Sequence, residues 1–370
     1  MSDINSLLFK LIRLSVGSGE VFSRFPTDKE WKQIYNLACK HCIVGVCFAA
    51  LRYLGANTAE SFARIGMNQK LYLTWMGMAV MIQQRNQIMD EQCVVLQTRL
   101  AAEGFKSCVL KGQGLGMLYP ENLCGLRQSG DIDIWIDGGF KRVNAWVQMV
   151  SPTKIINQHH IDLNIFDETT IEAHYCPINM TNPFRQKRLK KFISDHKDEC
   201  LTDAMDDKIH VPTSKFNLVY LLIHIFHHLF TEGVGLRQVM DYYFVLRANP
   251  ENQESNEEVI MVVHDLGLER FASALMYVMQ TVFSLEERLL LWTPNAKDGK
   301  FLLDEIMASG NFGKQDVRQK GLYNSKWNSF WIVNSKTYKF WRFDHWAWFW
   351  SPIERIRGYV WRRMHGYRQY

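Results

Sequence analysis

Arg127-Gln-Ser-Gly-Asp-Ile-Asp-Ile-Trp-Ile136 is the stretch on which the reading of this chain turns. Its second half alternates acid with apolar residue, the two-residue period of a strand. Asp131 and Asp133 therefore project from one face and Ile132, Ile134 and Ile136 from the other. The two acids lie about 7 Å apart along the chain. Like charges on an otherwise apolar strand are costly to bury unless a cation offsets them. The pattern asks for a metal, and carboxylate oxygens favour Mg2+ or Mn2+.

Working outward, the same period recurs in short runs bounded by Gly, Asn and Asp: Phe105–Leu110, Ile161–Ile165 and Thr170–His174. With Ile132–Ile136 these predict four strands. On either side the spacing lengthens to three and four residues. It does so from residue 1 to about 100 (Leu7, Leu8, Leu11, Ile12; Cys93, Leu96, Leu100), and again through Leu218–Leu246, Glu257–Leu266, Arg270–Phe283 and Leu285–Trp292. The expected class is α+β, a small mixed β-sheet core flanked by two helical regions. Shifts in composition divide the chain into 1–100 (helical), 101–212 (α/β core) and 213–370 (helical, with a basic aromatic tail).

Glu172, inside the alternating run Thr-Ile-Glu-Ala-His, is the expected third acid beside Asp133, with Asp162 as its substitute. His174 follows two residues on and faces the same side. Upstream, Val109-Leu-Lys-Gly-Gln-Gly-Leu-Gly116 reads as the end of a strand and the start of a helix, where backbone amides and Lys111 could hold phosphate oxygens. Glycines at 112, 114 and 116 would also serve a tight turn. Gly-x-Gly-x-Gly is not the Gly-x-Gly-x-x-Gly dinucleotide fingerprint, and no repeated βαβ series accompanies it, so a Rossmann unit is disfavoured. Later in the chain, His224 and His228, and then Arg237 and Asp241, are each four apart and share a helical face.

Taken together, these blocks resemble the nucleotidyltransferase superfamily, in which a strand and a glycine-containing turn precede a helix and the next strand carries Asp-x-Asp. More narrowly the chain is similar to a bacterial family of uncharacterised nucleotidyltransferases. The matching blocks are Leu110-Lys111-Gly112, Leu118-Tyr119-Pro120, Arg127, Asp131-Ile-Asp133, Glu172-Ala-His174, and a helical block with His224, His228, Arg237 and Asp241. The resemblance covers roughly residues 30 to 290. It implies that a nucleotidyl group moves from a nucleoside triphosphate to an acceptor hydroxyl, with Asp131, Asp133 and Glu172 as catalytic metal ligands for Mg2+ or Mn2+. The candidate nucleotide and phosphate contacts are Lys111, Gly112, Gln113, Arg127, Ser129, His174, His224, His228, Arg237 and Asp241. The acceptor could be a sugar, a small metabolite, a protein side chain or an RNA end. The chain departs from the superfamily pattern where most active members carry Gly-Ser, since Gly112-Gln113 stands there. That departure motivates a second reading, a non-catalytic relative that binds nucleotide, RNA or protein.

Composition limits the alternatives. With 370 residues, 47% hydrophobic and 22% charged, the chain has the balance of a folded globular protein. The N-terminal segment reads as an amphipathic helix and not as a signal peptide. The longest weakly polar stretch, Leu71–Ile82, is too short to span a bilayer, so no transmembrane segment and a cytoplasmic location are expected. Eight cysteines sit mostly in apolar segments, as reduced thiols do, and Cys39-Lys-His-Cys42 lacks the partner pair of a zinc site. The net charge of +5 concentrates in Arg185–Lys191 and in the tail from Lys336 to Arg368. Trp327, Trp331, Trp341, Trp346, Trp348, Trp350 and Trp361 crowd the C-terminal part of the chain. Interleaved aromatics and bases suit nucleobase stacking, docking on the body, or a membrane or partner surface.

Overall fold

The expected strands all form, and they join one sheet. The computed structural model describes residues 3–19, 22–55, 58–249, 253–313, 316, 318, 334–364 and 366–367. In it, β1 (Ser107–Val109), β2 (Ile132–Ile136), β3 (His160–Phe166) and β4 (Thr169–His174) are ordered β1-β2-β4-β3. β2 and β4 are parallel, while β1 and β3 pair antiparallel at the edges, giving the mixed sheet of an α+β protein. Asp133 stands opposite Glu172, and Glu172 opposite Asp162, so three acids run in one row across the sheet.

The alternate positions make the opposite face. Ile132, Ile134, Ile136, Ile161, Leu163, Ile171 and Ala173 are each at most 1% exposed. Among the described residues five helices precede the sheet: α1 (Asp3–Ser15), α2 (Asp28–Lys40), α3 (Val44–Tyr53), α4 (Ala59–Ile65) and α5 (Gln69–Ala102). Within and after the sheet come α6 (Gln113–Gly116), α7 (Glu121–Cys124), α8 (Gly139–Val150) and α9 (Pro183–Cys200). α5, about 50 Å long at 1.5 Å per residue, covers the apolar face with Met89, Cys93, Leu96 and Leu100, joined by Val143, Trp146 and Val147 of α8. The sheet is thus closed on one side by packing, while its other face carries the acids beside Trp135, which stacks on Phe216.

A second, larger core joins both helical flanks. It unites α1 to α4 and the first half of α5 with α10 (Ser214–Thr231), α11 (Leu236–Ala248), α12 (Gln253–Asp265), α13 (Glu269–Phe283) and α14 (Ala296–Ser309). Two fully buried tryptophans tie the N-terminal helices together, and each indole N–H finds a carbonyl: Trp31 Nε1 donates to Ile65 O and Trp75 Nε1 to Val44 O, both at 2.8 Å. A capping box between Thr27 and Glu30 opens α2.

Two expected helical stretches differ. Leu218–Leu246 is broken between α10 and α11, where Gly233 takes φ +141° and a Cβ on Gly235 would lie 2.9 Å from the Asn311 backbone. The 310s loop packs closely against this turn. Leu285–Trp292 holds only a short 3-10 turn at Glu287–Leu289: Ser284, at φ +55°, terminates α13, and Pro294 disfavours helix just beyond. Its apolar spacing anchors an irregular segment by its ends, with Leu285 and Trp292 buried.

No disulfide joins any of the eight cysteines. The basic run Arg185–Lys191 lies on α9 and mostly faces solvent. Trp327, Trp331 and Arg368 lie outside the described residues. Among those residues no helix is long and apolar enough to cross a membrane.

Candidate active site

The polar face of the sheet gathers the acids. β2 delivers Asp133, 1% exposed, and places Asp131 just before its first residue. β4 delivers Glu172 and His174. His174 is the hub: its Nε2 lies 3.0 Å from Asp133 Oδ1 and 3.2 Å from Glu172 Oε2, and its Nδ1 is buried with no hydrogen-bond partner among the described residues. The turn after β1 brings Lys111, whose Nζ is 2.7 Å from Asp133 Oδ1. The backbone fixes that turn: Leu110 N donates to Asp133 O at 2.8 Å, and Gly112 takes φ +54° with the Asp131 carbonyl 3.1 Å from where a Cβ would sit.

These contacts set the protonation. Burial opposes the charge on Asp133, but Lys111 and the hydrogen bond from His174 outweigh it and hold the carboxyl well below its usual range. Burial also works against Lys111, yet Asp133, Tyr220, Glu172 and Asp131 together raise its pKa. Asp131 and Glu172 go the other way: burial raises both, and repulsion from Asp133 adds to it. Burial lowers His174, but its bonds to Asp133 and Glu172 prevail and raise it.

Asp133, Glu172 and His174 present ligand atoms all within 4.8 Å of one another, the spacing of a metal-binding group. Asp131 is not in that set; it lines the adjoining cleft. Asp162, buried in the same row, lies 3.8 Å from His160 Nε2. His159 and His160 form a second such group with His174. The sequence reading did not single these two out, although a His-His pair opening a strand of alternating acids was a visible signal.

The cleft beside the acids is lined by Lys111, Gly112, Arg127, Asp131, Asp133, His224, Arg237 and Asp241, with Phe312 at its edge. Arg127 and Asp241 form a buried two-pronged pair, Nε to Oδ1 and Nη2 to Oδ2, both 2.7 Å. Tyr119 donates to the same carboxylate at 2.7 Å, and Arg127 Nη1 donates to Ser129 Oγ at 2.8 Å. Arg127, Ser129 and Asp241 thus brace the loop leading into Asp131.

Arg237 is less satisfied. Nη1 donates to Gln128 O at 2.5 Å, its guanidinium lies 5.6 Å from the Phe312 ring, and its buried Nε has no partner among the described residues. Burial and the neighbouring Arg127 lower its pKa, so this cation has room for an anion. Gln113 turns away from the cleft, its amide donating to Asp90 Oδ1 at 2.6 Å and Asn86 O at 3.2 Å on α5. α6 is a single turn, so it offers a few amide N–H groups in place of a long helix dipole. His224 reaches the cleft; His228 stacks edge-on against it at 4.3 Å and lies 3.2 Å from Glu232.

An acid pair at the start of a sheet strand, a third acid on the parallel neighbour and a Lys-Gly turn beneath a helical cleft define a nucleotidyltransferase-type core. The chain belongs to the family of uncharacterised nucleotidyltransferases, whose model matches residues 27–284. No curated protein and no solved structure matches it. The matched segment runs from α2 to the end of α13 and so takes in helices of both flanks as well as the sheet.

Proposed function

We propose that this protein transfers a nucleotidyl group from a nucleoside triphosphate to an acceptor hydroxyl. The acceptor oxygen forms a bond to the α-phosphorus, the bond to the β-phosphate bridge breaks, and pyrophosphate leaves. The observation that carries the reading is the registered row Asp133–Glu172 with Asp131 at the head of the same strand. Burial and mutual repulsion leave its negative charge only partly offset by Lys111 and His174. That excess fits a divalent cation, Mg2+ or Mn2+, held by Asp131, Asp133 and Glu172; when bound it would neutralise charge developing on the phosphates.

The chain's own residues supply the rest. Lys111, with Arg237 and its unused Nε, attracts the triphosphate into the cleft. Arg127, Ser129 and Asp241 hold the loop that sets Asp131. His224 closes the cleft from α10, with His228 packed behind it. One carboxylate of Asp131, Asp133 and Glu172 accepts the proton of the acceptor hydroxyl. The acceptor's class is a sugar, a metabolite, a protein side chain or an RNA end, and a cytoplasmic location accompanies this reading.

Calorimetry of nucleotide binding with and without Mg2+ or Mn2+, on wild type and on Asp131→Ala/Asp133→Ala, is the test, with pyrophosphate release followed in parallel. Metal-dependent binding that the double variant loses, together with release by wild type, is expected. Absence of binding to any nucleoside triphosphate would sink the catalytic reading. A second reading, a nucleotide-fold module that binds without turnover, is favoured by one feature: Gln113 is committed to α5 at the position where active relatives carry a phosphate-holding serine. Binding without pyrophosphate release would establish it.

A further inference from the structure

The helix Ala347–Met364 is turned outside in. Its buried residues are small: Ala347, Ser351 and Gly358. A Cβ added to Gly358 would lie 2.4 Å from Gln158 Nε2, so the helix backbone itself rests on the sheet domain. Trp361, packed at 5.6 Å against Phe140, helps hold it there. On the far side, Phe349, Ile353, Ile356, Val360 and Met364 succeed one another at intervals of three and four residues, the spacing of one helical stripe, with Trp346 in the turn just before the helix. Gly358 lies two residues from both Ile356 and Val360, about 200° around the helix, so the stripe points directly away from the body.

All six side chains are between 42% and 78% exposed. An ordinary surface helix turns such a stripe inward and its charges outward. A contiguous exposed stripe of this length marks a contact surface and differs from singly scattered apolar residues. Charge identifies the partner. Ala347–Met364 holds four arginines and one acid. Arg357 and Arg363 adjoin the stripe on its two sides; Arg357 is 72% exposed in its pair with Glu354, and Arg363 donates to the Tyr359 hydroxyl. An apolar strip edged by arginine and by Trp and Tyr rings is the composition of a helix lying in the headgroup plane of an anionic bilayer.

We propose that this helix seats the protein on an anionic lipid surface, stripe inward and arginines among the phosphates. This rests on none of the chemistry assigned to the acids. It places the reaction at a membrane face without any spanning segment.

The test is co-sedimentation of the full chain with vesicles of phosphatidylcholine alone and of phosphatidylcholine with phosphatidylserine. Wild type is expected to pellet with the anionic vesicles, less so as salt rises, and to stay in solution with the neutral ones. Ile356→Glu/Val360→Glu, at exposed positions, should keep the circular dichroism and melting profile of wild type and lose at least about tenfold in vesicle binding. Arg357→Gln/Arg363→Gln, which leaves the stripe intact, should remove much of the salt dependence. Wild type that ignores anionic vesicles, or an acidic-stripe variant that binds as well as wild type, overturns the proposal. A dimer in sedimentation velocity that the stripe variant dissociates, with no vesicle binding, would overturn it in favour of a protein partner.

Discussion

Replacing Asp241 by alanine should destabilise the whole molecule as well as any bound ligand. Asp241 and Arg127 are 4% and 5% exposed and meet through two 2.7 Å hydrogen bonds, and Tyr119 donates a third. Removing the carboxylate strands a guanidinium and a phenol where water does not reach. Breaking a buried pair from one side costs about 3–5 kcal/mol. At roughly 2.1 cal/mol/K per residue, unfolding of 370 residues as one unit carries an entropy near 0.8 kcal/mol/K, so the melting temperature should fall by about 4–6 °C. Scanning calorimetry of Asp241→Ala, Arg127→Met and the double variant reads this directly. The double variant should be less destabilised than the two single losses combined, by about 2 kcal/mol or more, because it leaves no unpaired charge. Single variants costing under about 1 kcal/mol, or strict additivity, would refute the bracing role and return Arg127 and Asp241 to direct ligand contact.

Lys111 occupies the position of an internal counterion on Asp133 and should compete with a metal for that carboxylate. Lys111→Met is expected to tighten Mn2+ binding in the absence of nucleotide and to weaken triphosphate binding by about tenfold or more, both read by calorimetry; weaker metal binding would contradict the competition. His41 supplies a pH prediction. It is fully buried, its Nδ1 accepts from Leu236 N at 3.3 Å, and burial, with Lys40 beside it, lowers its pKa to about 3. The unfolded chain binds this proton below about pH 6.5 and the folded chain does not, so stability falls as pH drops from 6.5 towards 3. The loss between pH 7 and pH 5 is about 2 kcal/mol. In urea unfolding, His41→Gln should flatten that slope by a similar amount, and an unchanged slope would show that the ring takes up its proton in the fold.

The sheet was legible because its two faces use different chemistries. Isoleucines at every second position of β2, with Asp133 between them and Asp131 just ahead, fix the strand and its orientation without reference to anything distant. Glu172 was legible as Asp133's neighbour for the same reason. The pairing of β3 was not. Counting back from the closure at Phe166 and Thr169 would pair Ile161 with His174, but an irregularity between Leu163 and Phe166 slips the register by one, so that His160 meets His174 instead. One slipped residue exchanges the faces of a strand; here it brings His160 and Asp162 to the acid row. The fate of Gln113 and of Arg127 was likewise hidden, because it depends on Asp90 and Asp241, partners 23 and 114 residues away.

These distant partners also explain why the sheet alone cannot make the site. Asp131 sits at the mouth of β2, beyond the last ladder residue that would fix it, and the preceding loop 127–130 holds no regular structure. Four contacts supply the missing constraint. Arg127 reaches Asp241 on α11, Arg237 on the same helix holds Gln128 O, and Arg127 also holds Ser129. Asn86 on α5 donates to Arg127 O at 2.7 Å. Helices from both flanks therefore grip one four-residue loop. His224 of α10 and Phe312 wall the cleft from the C-terminal side. An excised sheet segment is expected to keep Asp133 and Glu172 in register and lose the placement of Asp131, because the candidate site takes residues from both helical flanks.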